Sequence, residues 1–264
     1  MARVYAFANQ KGGVGKTTSA VNLADALAIR RQRTLLIDLD PQANATSSLG
    51  FHKQTVPASV YQVLLHDTPL RDVVQLTDRV HLDLAPSSPT LASAEVELAP
   101  QIGREYRLRE ALAPVRDGYD YILIDCPPSL GLLTVNALAA ADGVIIPVQC
   151  EYLPLEGLAM LMQTIDLAKR RLNPELTVQG VVMTMYDGRT NLAQQVVAEV
   201  RQHFGQQLFS TIIPRNVRLS EAPSFGRTIF QYAPASPGGV AYSHLADELL
   251  ARDGVAQPTA PVAS

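Results

Sequence analysis

The run Lys11-Gly12-Gly13-Val14-Gly15-Lys16-Thr17-Thr18 puts three glycines, two lysines and two adjacent hydroxyls into eight residues. Glycines let successive backbone N–H groups converge on an anion, and a helix opening at the loop adds its dipole. The chemistry is polyphosphate binding: Lys16 reaches the β- and γ-phosphates, and the Thr17 hydroxyl binds Mg²⁺. The usual pattern G-x-x-x-x-G-K-[ST] asks for glycine at position 10, where Gln10 stands. A second lysine, Lys11, precedes Lys16 by five residues. Spacing alone makes Lys11 either a second cation at the mouth of the site or a solvated surface lysine.

Acidic residues fall where such a site needs them. Leu35-Leu36-Ile37-Asp38-Leu39-Asp40-Pro41 ends an apolar strand in two aspartates. In open α/β sheets ligands bind at that edge. Asp40 has two readings, positioning of Mg²⁺ waters or of the attacking water. Asp38 has two readings, a Mg²⁺ partner through water or a structural cap. Tyr121-Ile122-Leu123-Ile124-Asp125 is a second apolar strand ending in an acid, followed by Cys126-Pro127-Pro128. Asp125 is expected to hold Mg²⁺ through a water. Phosphoryl transfer needs positioning and charge neutralisation above all, and these parts supply both.

Other reactive types form no pattern. Cys126 and Cys150 make neither a metal nor a disulfide spacing, and the histidines at 52, 66, 81, 203 and 244 are scattered. Met183 and Met185 flank an expected strand end, either lining a base pocket or packing in the core. The net charge of −3 excludes polyanion binding by overall charge. Residues 201–246 nevertheless hold four arginines against one acid, Glu221. A local basic face is therefore expected where the average hides it.

The elements that must carry these residues alternate. Strands are expected over Val4–Ala8, Thr34–Ile37, Val80–Ala85, Tyr121–Ile124, Val144–Val148, Val178–Met183 and Leu208–Ile213. Several are unbroken apolar runs, as parallel strands covered on both faces require. Helices are expected over Lys16–Arg31, Leu155–Arg171 and Asn191–Phe204. This order predicts an α/β fold, a doubly wound, mostly parallel central sheet with helices on both faces. With 264 residues and no repeat or linker, the expectation is a single domain over 1–253 and a disordered Pro/Ala-rich tail over 254–264. The most apolar stretch, 130–148, holds Asn136, Asp142, Gly143 and Pro147, which fit a helix, a turn and a strand better than a membrane span. No signal peptide precedes the first strand, and a reducing, cytoplasmic setting is expected.

With its two lysines, the phosphate loop resembles the deviant form found in the P-loop NTPases of the ParA/MinD type. Within that group Ile212-Ile213-Pro214-Arg215-Asn216-Val217-Arg218-Leu219-Ser220-Glu221 and Val182-Met183-Thr184-Met185-Tyr186-Asp187 resemble the chromosomal ParA/Soj branch, over roughly Val4 to Leu250. The resemblance implies an ATPase with ATP and Mg²⁺ as cofactors. It implies a homodimer when ATP is bound, with Lys11 acting across the interface. The loop from Lys11 to Thr18 would bind ATP, with Pro214 and Asn216 near the adenine. Arg189, Arg215, Arg218 and Arg227 would contact non-specific DNA, and a ParB-type protein would stimulate hydrolysis. The expected setting is nucleoid-associated segregation of a chromosome or plasmid. MinD-type relatives end in a basic amphipathic helix that docks on membrane. The tail here has no basic residue and no apolar face, so no membrane partner is expected. With three residues ahead of the first strand, no helix-turn-helix domain is expected either. Two other readings stay open: a positioning ATPase for another cargo, and a metabolic P-loop ligase similar to dethiobiotin synthetase.

Overall fold

The structure is a computed structural model and describes residues 1–150 and 154–255. The expectation for the tail falls on residues 256–264, outside the described residues. Gly254 and Val255 still belong to the folded part: Val255 N–H donates to Leu250 O at 2.9 Å, and its side chain packs on the core.

Eight strands form one sheet: β1 Arg3–Phe7, β2 Thr34–Asp38, β3 Gln75–Leu76, β4 Leu82–Ala85, β5 Tyr121–Asp125, β6 Gly143–Gln149, β7 Thr177–Tyr186 and β8 Leu208–Pro214. Their spatial order is β3-β4-β2-β5-β1-β6-β7-β8. Every pairing is parallel except β3 with β4. The seven strands expected from sequence are all present. The addition is the two-residue edge strand β3, too short for any period to reveal.

Alternation along the strands divides the core between two faces. Val4, Ala6, Ile122, Ile124, Val144 and Ile146 face one cluster. It is closed by the helices Val60–Leu65, Ala94–Leu98, Arg107–Leu112, Leu132–Ala140, Pro154–Arg171 and Asn191–Phe204. Tyr5, Phe7, Leu36, Leu123 and Ile145 face the other, closed by Lys16–Ile29 and Pro237–Arg252. This is the doubly wound architecture the alternation of apolar runs predicts.

The helix Pro237–Arg252 is long but has no counterpart among the expected elements. Its start was marked in the sequence: the Ser236 side chain accepts from Gly239 N–H at 3.2 Å, and Pro237 fills the first turn.

Between Val181 and Met183 of β7, strand β8 advances from Leu208 to Ile212, so β8 bulges outward. The Glu248 carboxylate fills the bulge, accepting from Ser210 N–H at 2.7 Å and Thr211 N–H at 2.9 Å. Arg252 donates to Leu208 O at 2.9 Å and stacks its guanidinium 3.9 Å from the Phe209 ring centre. One helix thereby covers the sheet's outer edge, which would otherwise invite a foreign strand.

Candidate nucleotide site

The central strand β1 ends at Phe7, beside Asp125 of β5. The chain leaves it as a loop held at three points. Asn9 donates to Pro147 O at 2.7 Å and accepts from Lys11 N–H at 3.0 Å. The Thr184 hydroxyl of β7 donates to Val14 O at 2.8 Å. Lys16 Nζ donates to Lys11 O at 3.2 Å. Gly13 and Gly15 have φ of 75° and 86°, left-handed values at which a side chain is strained. Gly15 is the N-cap of Lys16–Ile29, and no side chain caps that helix. Its first-turn N–H groups and its dipole are left for an anion.

Lys16 is buried at 7% exposure, and Lys11 is exposed. Burial pulls the Lys16 pKa down, while the charges of Asp125, Cys126 and Asp40 pull it back. The ammonium thus sits among groups that can carry negative charge.

Asp38 and Asp125 stand at paired register positions on β2 and β5. The Asp38 carboxylate is fully satisfied. It accepts from Thr46 N–H and Thr46 Oγ1, both at 2.7 Å, and from Asp40 N–H at 3.2 Å. Burial still pushes its pKa up to about 6, against those hydrogen bonds. Of its two expected roles, this geometry is that of the cap. Asp125 differs: it is fully buried, and neither oxygen accepts a hydrogen bond. Desolvation and the neighbouring Asp38 raise its pKa well above the usual carboxylate range. Thr17 lies close enough to favour the charged form without reaching hydrogen-bond geometry. A buried carboxylate with two orphan oxygens, next to a hydroxyl and an ammonium, fits a hydrated divalent cation at a phosphate. Asp40 is nearly buried at 7% exposure; its Oδ1 accepts from Gln42 N–H at 2.9 Å, and its carbonyl accepts from Ser87 Oγ at 2.7 Å.

A cavity of about 690 Å³ opens beside the loop. Thr17, Thr18, Met185, Pro214 and Asn216 are among the residues that line it. That volume suits a nucleotide. The Asn216 Oδ1 accepts from Arg218 N–H at 2.8 Å, which orients the side chain and leaves its Nδ2 as a donor for a ligand. The two methionines separate: Met183 is fully buried in the core, and Met185 lines the cavity with a left-handed φ of 52°.

Among the arginines expected at DNA, Arg189 and Arg218 form ion pairs. Arg189 makes a two-point pair with Asp187, at 2.8 and 2.6 Å, which holds that carboxyl at about 2. Arg218 pairs with Glu221 at 2.8 Å. Arg215 lines the cavity, lies near Asp187 and anchors its own N–H on Tyr186 O at 2.9 Å. Arg227 is exposed beyond the turn 222–225. The pairs on Arg189 and Arg218 are on the surface, where such bridges contribute little and yield readily to a competing anion.

Sequence reasoning missed Asn9, Thr46, Ser87 and Thr184, which set the loop geometry. No helix among the described residues is long and apolar enough to cross a membrane, and no metal-binding cluster of His, Cys, Asp and Glu occurs among them.

A family model described as an AAA domain matches residues 2–178. Chromosome partitioning protein ParA of Myxococcus xanthus is 53% identical over 261 residues, 99% of this chain and 92% of that one. Sporulation initiation inhibitor protein Soj of Bacillus subtilis is 53% identical over 251 residues, 95% of this chain and 99% of that one. A solved structure titled cobyrinic acid a,c-diamide synthase from Mycobacterium smegmatis, with bound ADP and magnesium, superposes with a TM-score of 0.85 at 38% identity over the full length of both chains. By its loop, its strand-end acids and these identities, the chain belongs to the ParA/Soj-type ATPases of the ParA/MinD family.

Proposed function

We propose that this chain is an ATP-hydrolysing switch for DNA segregation, and that it works as an ATP-bound homodimer on non-specific DNA with a ParB-type partner. The observation that carries the reading is the unsatisfied Asp125 carboxylate beside Thr17, Lys16 and an uncapped helix N-terminus. Mg²⁺, when bound there, neutralises phosphate charge and releases the cost of burying Asp125 ionised.

The chain's own residues divide the work. Loop N–H groups and Lys16 bind the phosphates. Thr17 and Asp125 hold the cation, Asp125 through water. Pro214, Asn216 and Met185 enclose the base. Asp40 orients the attacking water. Lys11, exposed at the loop mouth, is free to reach the partner subunit's phosphates, so dimerisation completes the charge around the nucleotide. The named relatives support segregation as the purpose, and cytoplasmic, nucleoid-associated action follows from it.

The Mycobacterium smegmatis structure supports a second reading, a ligase acting on a carboxylic acid. Gel retardation of arbitrary DNA with ATP, ADP and no nucleotide separates the two. The switch requires retardation with ATP that is lost with ADP. Absence of retardation in all three states, with ATP turnover dependent on a carboxylic acid, would replace it by the ligase.

A further inference from the structure

We propose that Glu95 is a positioning residue for hydrolysis, tying the segment after Asp125 to the segment after Asp38. The inference rests on the ATPase reading above. After β4 the chain runs through Ser87, the 3₁₀ turn Pro89–Ser93 and the helix Ala94–Leu98. The start of this stretch grips the first carboxylate loop. Ser87 Oγ donates to Asp40 O at 2.7 Å, and Ser87 N–H donates to Thr46 Oγ1 at 2.9 Å. That same hydroxyl holds Asp38.

The other end grips the second loop. The Glu95 carboxylate lies on Gly131 so closely that a Cβ there would sit 1.9 Å from Oε1 and 2.8 Å from Oε2. With the carboxylate in this position there is no room for a Cβ beneath it. Gly131 is the N-cap of Leu132–Ala140 and has no side-chain cap, so the carboxylate stands at the positive end of that helix. Glu95 Oε1 is buried and accepts no hydrogen bond. Packing alone would favour an apolar side chain at such a spot. What a carboxylate adds is attraction to the helix end, and with it a fixed position for the four residues linking Cys126 to Gly131. Ala94 and Leu98 share a core with Leu133 and Ala137, so the stretch cannot slide relative to that helix. Asp40 and Asp125 are thereby held at a common spacing from outside the phosphate loop.

The test compares Glu95→Ala and Glu95→Gln in the full chain. One arm follows amide hydrogen exchange without nucleotide; the other measures steady-state ATP turnover with Mg²⁺. Glu95→Ala should speed exchange at residues 129–134 by about tenfold while Lys16–Ile29 keeps its protection. It should lower kcat by about tenfold with KM for ATP within about twofold, because binding groups are untouched and only their alignment is lost. Glu95→Gln, which keeps the shape but loses the charge at the helix end, should recover only part of both. Unchanged exchange at 129–134, exchange raised evenly along the chain, or wild-type kcat in Glu95→Ala overturns the proposal. If the unmodified chain shows no ATP turnover, the ATPase reading fails, and the exchange arm still decides whether Glu95 holds Gly131.

Discussion

Asp38 and Asp125 face each other across neighbouring strands, and one is saturated with hydrogen bonds while the other has none. Two acids from similar strand-end motifs thus have opposite surroundings. Asp38 spends its oxygens on Thr46 and Asp40, shaping the loop that presents Asp40. Asp125 is kept dry and unpaired, which costs stability unless a cation arrives.

That asymmetry has a pH consequence. A buried aspartate whose folded pKa is raised contributes stability that is present at low pH and lost as pH rises through the folded value. For Asp38 the loss begins near the unfolded value of 3.8 and is complete just above about 6. For Asp125 it extends further upward, since its pKa is raised well above 3.8. Asp125→Asn should therefore raise the Tm of the nucleotide-free protein at pH 7.5 and change it little at pH 5. Thermal melts at both pH values check this. An equal or lower Tm at pH 7.5 would mean that the carboxylate finds donors in solution.

Lys16→Ala should weaken ATP binding by at least about 10²-fold, because charge-assisted contacts are worth about 1.5–3 kcal/mol each and Lys16 addresses two phosphates. Calorimetric titration with ATP and Mg²⁺ measures it. Retention of wild-type affinity would move the phosphate site elsewhere.

Asp40→Ala and Lys11→Ala should separate hydrolysis from assembly. Asp40 is held by Gln42 N–H at its carboxylate and by Ser87 at its carbonyl. Its removal should leave ATP binding intact and slow turnover by about 10²-fold, the usual scale for a group that aligns or accepts a proton. Lys11 is exposed and its backbone alone supports the loop. Its alanine variant should bind ATP as a monomer and fail to pair. Sedimentation with ATP distinguishes a trapped dimer in the first case from a monomer in the second.

Gly180→Ala is a purely structural test of the β7–β8 junction. A Cβ at Gly180 would lie 2.4 Å from Phe209 Cε2 and 2.8 Å from the backbone Gln207 O. The ring is clamped beneath Arg252, so it cannot swing aside cheaply. Overpacking of this kind typically costs about 1–3 kcal/mol. Urea unfolding should show that loss with an unchanged slope. A loss below the error of extrapolation would mean that the bulge in β8 absorbs the methyl.

Much of this architecture was legible because its signals are local. Tyr121–Asp125 is five residues long and buried at every one, which an unbroken apolar run announces. The phosphate loop is readable because glycines at 13 and 15 are demanded by left-handed backbone. Contacts far apart in sequence were not legible. Thr184 holds Val14 from 170 residues away, and nothing in a threonine near a strand's end declares such a partner. The same holds for Ser87 on Asp40 and for Glu95 on Gly131. The partners of Arg189 and Arg218 are two and three residues away, within reach of sequence reasoning. The fold shows both of them paired in the free protein.

The last expectation concerns those pairs. Arg218 donates to Glu221 at 2.8 Å, and Tyr232 OH donates to the same carboxylate at 3.0 Å. Glu221 therefore cancels part of the only positive charge this helix offers. Non-specific DNA binding is electrostatic, and each phosphate neutralised steepens the dependence on salt by about 0.9 in log–log slope. Glu221→Gln would uncover Arg218 while keeping a hydrogen-bond acceptor for Tyr232. It should tighten ATP-dependent DNA binding and steepen its salt dependence by about one phosphate per subunit. Arg218→Glu should do the reverse and leave ATP-driven dimerisation untouched. Filter binding at two salt concentrations, with ATP and with ADP, reads both variants. If Glu221→Gln weakened binding, the Arg218–Glu221 pair would be part of the DNA surface itself, orienting a contact instead of masking one. Equal affinity in ATP and ADP for the unmodified chain would remove the switch altogether, because a surface doubled by dimerisation must bind more tightly than its half.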